Sequence, residues 1–464
     1  MRGRVIATSF FVRLSLLPLP TSLQSSASVS FAAVAMSTTT TSTPPPGAVK
    51  NNVRVVSYNL LSSKLARPSH FTRANPDHLE EEYRLPLILA KLDEAMNRGF
   101  SGDEELPQAS PPPTIFALQE VCYPFASALH TFFAQRGYHF VTGLYGRPFN
   151  GYMGVGIAYP LKDFETVNVD ICRLSDERPG GWPREKIDEE ESSSDAKGLG
   201  QIIQKFSKTF NVFAAQTFKT INNRINKRLG YTPERKPIDP WKMSENRFNV
   251  LLTVVLRCRT GESSTFSFSN YHMPCAFFAP AVMNIHSEMV AKRVQDLAAE
   301  SWKSIQGDKC AEETIPYIFA GDFNIMPDSS HYKLLTTGEL DKSDPTYPPP
   351  NHGVEWKIES QPMDSAYALD DSEPEFTNFA HVKEDPDPFI GTLDYIFLSQ
   401  KGQTSTSNEG NQSGEWWEVH GVQKLPCKED SDGPFPNEKE PSDHYLIAAD
   451  LQLVSAGTSE KKTE

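Results

Sequence analysis

Acidic residues are missing from the start of this 464-residue chain: neither Asp nor Glu occurs between Met1 and Pro76. That stretch carries Arg2, Arg4 and Arg13 in an apolar, Ser-rich context, then Thr38–Thr41 and Pro44–Pro46. Such a composition reads as an organelle transit peptide, mitochondrial or plastid. Ala33-Val34-Ala35 matches the small-x-small pattern of a secretory cleavage site, but Arg13 interrupts the apolar run such a signal needs. The plain alternatives are a disordered tail on a cytoplasmic protein, or translation from Met36. Residues 1–50 are expected to be a disordered leader and 455–464 a disordered tail. C-x-x-C spacing is also missing. The six cysteines, at 122, 172, 258, 275, 310 and 427, form neither a zinc pattern nor a disulfide framework, and read as reduced thiols. No apolar run is long enough to span a bilayer, and no internal repeat or protein-docking module is evident. A basic excess is lacking too: 45 Lys and Arg against 59 Asp and Glu leave a net charge of −14. The overall field therefore does not attract nucleic acid, which would need a local basic patch or a bound cation. A divalent cation inverts the potential of an acidic cleft, so a metal-dependent hydrolase remains open.

What is present is a rhythm of short strands and longer helices. Strands are expected at 53–59, 114–119, 138–142, 154–159, 164–173, 248–257, 265–271, 316–320, 393–398 and 445–453. Helical spacing marks 78–98, where Pro86 starts or kinks the helix, then 125–136 and 281–304. Residues 174–247 interrupt this order as an insertion, with an acidic Ser-rich loop and then a basic helix over 202–229. Strands outnumber helices, which argues for packed sheets with flanking helices in one catalytic domain over 51–454.

The strands end in polar groups that a solvated surface seldom needs there. Asn59 ends the first and Glu120 the second. His272 follows 266–271, Asp322 and Asn324 follow 318–320, Asp394 opens the penultimate strand, and Asp443-His444 precedes the last. If the sheets pack, these ends converge on one rim. Hard oxygen donors select Mg²⁺, with Mn²⁺ able to substitute, and not zinc. An Asp can deprotonate water, while amides and imidazoles hold developing phosphoryl charge. An Asp paired to a His keeps the ring cationic. Singly, each position has a structural reading: Asn59 a turn cap, Glu120 a first-turn acid, His272 a core histidine, Gly321-Asp322-Phe323-Asn324 a turn. Jointly, in this order, they favour phosphoester hydrolysis.

Ser57-Tyr-Asn-Leu-Leu61, Leu118-Gln-Glu-Val121, Asn270-Tyr-His272, Gly321-Asp-Phe-Asn324, Leu393-Asp-Tyr-Ile-Phe397 and Ser442-Asp-His444 resemble, in order, the signatures of the endonuclease/exonuclease/phosphatase superfamily. Phe376-Thr-Asn-Phe379 ahead of Leu393 resembles its deadenylase, nocturnin and Angel branch. The resemblance spans about residues 53–452. It implies a four-layer α/β sandwich, two packed mixed sheets flanked by helices. It further implies Glu120 as main Mg²⁺ ligand with Asn59 and Asp443 beside it, and Asp322 orienting water. Asn324 and His272 would lie on the phosphoryl group, and Asp394 would pair with His444. Phe323 or Phe376 would stack on a base, and Arg247 is a candidate phosphate contact. Tyr271, where the family usually has a small residue, Met273-Pro274-Cys275, and the insertion depart from the pattern on the substrate side. The expected activity is 3′ exonucleolytic cleavage of single-stranded RNA. The alternative is hydrolysis of a small nucleotide or other phosphorylated metabolite, and a catalytically dead scaffold ranks below both because every expected position is filled.

Overall fold

The computed structural model describes residues 51–97, 111–185, 237–259, 264–306, 314–383, 385–403, 406–408 and 411–455. The leader, the far tail and the helix expected over 202–229 lie outside the described residues.

Two six-stranded mixed sheets dominate. The first is built from β1 (Asn51–Asn59), β2 (Thr114–Val121), β3 (Tyr138–Leu144), β4 (Gly154–Pro160), β11 (Glu415–Val422) and β12 (Ile447–Ser455), in the order β11-β12-β1-β2-β4-β3. The second comprises β5 (Phe164–Arg173), β6 (Val250–Cys258), β7 (Thr265–His272), β8 (Tyr317–Asp322), β9 (Met363–Ser365) and β10 (Asp394–Ser399), in the order β5-β6-β7-β8-β10-β9. Each sheet has one parallel pair at its centre, β1 with β2 and β7 with β8. Helices α1 (Glu81–Asn97) and α2 (Tyr123–Gln135) cover the first sheet, and α3 (Pro280–Gln306) covers the second. Pro86 lies inside α1, where it removes one backbone hydrogen bond without ending the helix. The expected four-layer sandwich is therefore the observed one.

Alternation along the strands explains the layering. Val53 and Val55 of β1, Ile115 and Ala117 of β2, Phe266 and Phe268 of β7, Ile318 and Ala320 of β8, and Ile396 and Leu398 of β10 fill the core between the sheets. The intervening Val56, Tyr58, Phe116 and Leu118 meet Ile88, Leu92, Phe125 and Phe133 of the helices. Tyr317, Phe319, Tyr395 and Phe397 face Val282, Val290 and Val294 of α3. A one-residue slip would turn every one of these rows over, and each fully buried side chain contributes about 1.5–3 kcal/mol relative to exposure. Strand β11 escaped the sequence reading because it is an edge strand, burying mainly Trp417 and Val422.

Polar side chains also bridge the two sheets near the strand ends. Gln119 Nε2 of the first sheet donates to Asn270 Oδ1 of the second (2.9 Å). Asn270 Nδ2 donates back to the Leu118 carbonyl (2.9 Å) and the Gly156 carbonyl (2.8 Å). This polar clamp holds the two sheets in one register beside the site. Gly321 is needed for a close approach: a Cβ there would sit 2.0 Å from the Tyr271 carbonyl oxygen of the neighbouring parallel strand. Gly321→Ala is expected to cost about 1–3 kcal/mol by forcing β7 and β8 apart. An unchanged urea-unfolding midpoint would contradict this.

Candidate active site

The two parallel pairs end side by side, and their last residues include the polar groups singled out from the sequence. Ligands bind outside the carboxyl ends of parallel strands because side chains and loops from neighbouring strands meet there. In the first sheet the ladder runs to Asn59 beside Gln119, and Glu120 follows in a left-handed conformation, φ +56°. In the second, His272 pairs with Asp322, and Asn324 follows at φ +53°. Left-handed backbone at non-glycine residues is uncommon, and here it falls at two buried polar residues, Glu120 accepting from Ser62 N–H and Asn324 donating through Nδ2 to the Met273 carbonyl (3.1 Å). The antiparallel strand β10 sets Asp394 directly opposite Asp322. Two carboxylates so placed repel unless a cation lies between them.

His444 supplies that charge. Its Nδ1 lies 2.7 Å from Asp394 Oδ2, and its Nε2 lies 3.7 Å from Asp322 Oδ2. Burial alone would lower the His444 pKa, but Asp394, Asp322 and Asp443 together outweigh it and hold the ring well above its ordinary value. Asp322 is the hub. Its Oδ2 accepts from Asn59 Nδ2 (2.9 Å) and faces His272 Nε2 (3.4 Å), and its Oδ1 accepts from the Asn324 backbone N–H (3.0 Å). Burial raises its pKa, opposed by the two imidazoles. Glu120 accepts from the Ser62 N–H on Oε2 (2.7 Å), and its pKa is likewise raised, chiefly by burial. Asn59 Oδ1 accepts from Leu61 N–H (2.9 Å), so Asn59 is pinned between the first loop and Asp322.

No protein-family model matches the chain. Among curated proteins, it is 24% identical over 428 residues to the CCR4-Not complex 3'-5'-exoribonuclease subunit Ccr4 of Aspergillus niger, covering 86% of this chain and 52% of that protein. It is 28% identical over 144 residues to the carbon catabolite repressor protein 4 homolog 4 of Arabidopsis thaliana, covering 31% of this chain and 28% of the relative. The chain thus spans about half, or less, of the length of these relatives. Among solved structures, ANGEL2, a 2',3'-cyclic phosphatase in complex with adenosine-2',3'-vanadate, matches with a TM-score of 0.52 at 17% identity, over 88% of this chain and 97% of that one. This is an endonuclease/exonuclease/phosphatase fold. The relatives matched by sequence are Ccr4-type proteins, and the neighbour matched by structure, which shares the fold, is ANGEL2.

Within that fold, Asn59, Glu120, His272, Asp322, Asn324, Asp394 and His444 are all buried and gathered on one rim, while Asp443 is partly exposed beside His444. The stacking roles expected of Phe323 and Phe376 do not survive. Phe323 is fully buried, edge-on to Phe319, Tyr395 and Phe397 in the core under α3. Phe376 is fully buried too, packed against Phe379 and Tyr445. A ring with no free face cannot take a base. In Gly-Asp-Phe-Asn the strand alternation turns Asp322 and Phe323 to opposite sides, and Phe376 closes a small aromatic cluster with Phe379 and Phe435. Arg247 is half-buried. Its Nε has no hydrogen-bond partner among the described residues, and burial lowers its pKa, with Tyr271 and Cys275 opposing.

Several supporting groups were not singled out from the sequence. Thr377 Oγ1 donates to Asp394 Oδ2 (2.6 Å) and accepts from the Leu393 N–H (2.9 Å), orienting the carboxylate under His444. Ser442 Oγ donates to the Asn59 carbonyl (2.6 Å) and accepts from the His444 N–H (3.2 Å). Buried Arg84 donates to the Leu60, Leu61 and Pro441 carbonyls, tying the loop after β1 to the loop before His444. Asn249 Nδ2 holds the His272 carbonyl (2.7 Å). Thr377 stood inside a recognised segment and was findable; Arg84 sits in a helix face with no motif around it.

Proposed function

We propose that this chain is a divalent-cation-dependent phosphoester hydrolase acting as a 3′ exoribonuclease of the deadenylase type on single-stranded RNA. The observation that carries it is the Asp322 hub: one buried carboxylate held by Asn59 and facing two imidazoles, with Glu120 at the adjoining strand end.

The donor set fits a hard cation. Ligand atoms of Asp322, Asp394 and His444 all lie within 4.8 Å of one another, a spacing that would admit an ion. A cationic imidazole has no lone pair to give, however, and His444 is held cationic, so this trio suits proton handling better. Glu120 Oε1 has no hydrogen bond among the described residues, and Asp443 Oδ1 is buried and unpartnered. Glu120, Asn59 and Asp443 are therefore the residues that would hold Mg²⁺, or Mn²⁺ in its place. A bound Mg²⁺ supplies a Lewis acid for the phosphoryl oxygens. Asp322, its pKa raised, is placed to take a proton from an attacking water. His272 and the cationic His444 offset charge growing on the phosphoryl group, with Asn324 and Arg247 as further donors.

A base-bearing substrate is supported by exposed aromatic rings beside the site. Phe277, five residues beyond His272, and Phe389 are 49% and 39% exposed, with ring centroids 6.4 Å apart. Phe389 belongs to the ribbon Asn378–Ala380/Phe389–Gly391, which is bonded to the catalytic loop through Phe379 N–H and the Asp443 carbonyl. These rings take the place of Phe323 and Phe376 as stacking candidates. The reading as a small-nucleotide phosphatase or phosphodiesterase draws on the −14 net charge and on the likeness in fold to ANGEL2, a 2',3'-cyclic phosphatase.

The test uses 5′-labelled single-stranded RNA ending in oligo(A), with Mg²⁺. A ladder shortening from the 3′ end is expected, abolished by chelator and by Glu120→Ala. Intact RNA together with phosphate release from a nucleotide panel would replace this reading with the second.

A further inference from the structure

The rim beside Glu120 carries a second set of exposed rings. Tyr123, Phe149 and Tyr152 are 70%, 60% and 48% exposed, and the Tyr123 and Tyr152 rings meet edge to face with centroids 6.3 Å apart. They are fixed to the strand end that carries Glu120. Tyr123 N–H donates to the Gly151 carbonyl (2.8 Å), and Ser62, whose N–H holds Glu120, donates through its hydroxyl to the Asn150 carbonyl (2.8 Å). Tyr152 is held at φ +54°, a conformation that a tyrosine adopts only under constraint. The turn under these rings is tightly seated: a Cβ on Gly151 would lie 3.0 Å from Ser62 Oγ and 3.2 Å from Lys64 Cγ.

Charge is segregated here as well. In a chain of net charge −14, no Asp or Glu occurs between Asn51 and Pro76 or between Val121 and Lys162. Those two segments build this rim, and they expose Lys64, Arg67 and Arg147. Rigid aromatic faces on segments that expose cations and hold no acid of their own match a strand that has bases on one side and phosphates on the other.

We propose that Tyr123, Phe149 and Tyr152 form a base-stacking platform on the Glu120 side of the cleft, with Lys64 and Arg147 facing the phosphates, and that its occupant is the single-stranded RNA flanking the scissile bond. The inference rests on the nuclease reading above. It assigns the cleft two aromatic walls, Phe277 with Phe389 on one side and this platform on the other, so that the strand is gripped across the reacting phosphate.

The experiment is steady-state cleavage of oligo(A) by the full chain, comparing wild type, the double variant Tyr123→Ala/Tyr152→Ala, and Tyr123→Phe/Tyr152→Phe. Stacking is worth about tenfold or more in affinity per base, so the alanine pair is expected to raise KM at least tenfold with kcat little changed, and the phenylalanine pair to keep the wild-type KM. Lys64→Ala/Arg147→Ala is expected to make binding less steeply dependent on salt. An active alanine pair with unchanged KM overturns the platform and leaves the nuclease reading standing. A fall in kcat matched by a lower unfolding temperature also overturns it, since the rings would then be structural. Wild-type protein that leaves oligo(A) intact but hydrolyses bis(p-nitrophenyl) phosphate overturns the nuclease reading, and the platform with it.

Discussion

Asp322→Asn is expected to lower kcat on RNA by about two to four orders of magnitude, the range associated with a positioned general base. The amide keeps the size of the carboxylate and can still accept from Asn59 on its oxygen, so the chain should remain folded. What is lost is the proton acceptor and the negative charge facing His272 and His444. Asp322 is among the groups that raise the His444 pKa, so the variant should also bring that ring down towards its ordinary value. NMR titration of His444 checks the second effect independently of turnover. A variant with near wild-type kcat would remove Asp322 from the chemistry.

The same groups give a pH dependence with a definite sign. Glu120, Asp322 and His444 all have folded-state pKa values above their ordinary ones. A raised value means that the folded state binds more protons than the unfolded chain, so stability falls as pH rises. In chelator, the contribution is complete below the ordinary carboxyl range, about pH 4. It then fades as pH climbs through the raised values of the carboxyls and finally of His444. Mg²⁺ should offset part of the loss by screening Glu120. Unfolding midpoints measured across pH, with chelator and with Mg²⁺, report this directly.

Arg84→Met is expected to destabilise the fold by about 3–5 kcal/mol, because three buried carbonyls, of Leu60, Leu61 and Pro441, lose their donor at once. Arg84 is fully buried, and burial lowers its pKa against the pull of Tyr58, Asp443 and Glu120. Methionine fills similar volume, so the loss reports hydrogen bonding rather than a cavity. The two loops Arg84 joins carry Asn59 and Asp443, so activity should fall with stability. Arg84→Lys should recover little of either, since one ammonium cannot reproduce the guanidinium fork. Urea unfolding that shifts by less than 1 kcal/mol would show that the loops hold themselves.

Much of this protein was legible from its residues in order. Strand alternation is a local property, so β1, β2, β5 and β8 could be read off within a residue or two, and the helices over 125–136 and 281–304 likewise. The polar residues at strand ends could be collected because a parallel pair leaves its last side chains nowhere else to meet. The failures share one cause. Phe323 stands beside Asp322 in sequence, but successive extended positions face opposite ways and which way is in is set by the partner sheet, while Phe376 is drawn into a cluster with Phe379 and Phe435 by the chain's tertiary path. Arg84, Ser62 and Thr377 act across separations along the chain that carry no periodic signal. The exposed rings at Tyr123, Tyr152 and Phe277 look like ordinary core residues in sequence, because burial is decided by the neighbours that folding brings. By itself, then, the sequence determined the order of strands and helices and the polar residues that end them, since both follow from local pattern and residue chemistry. Which aromatic faces remain open to a substrate, and which cation braces the loops, only the packing of the two sheets decided.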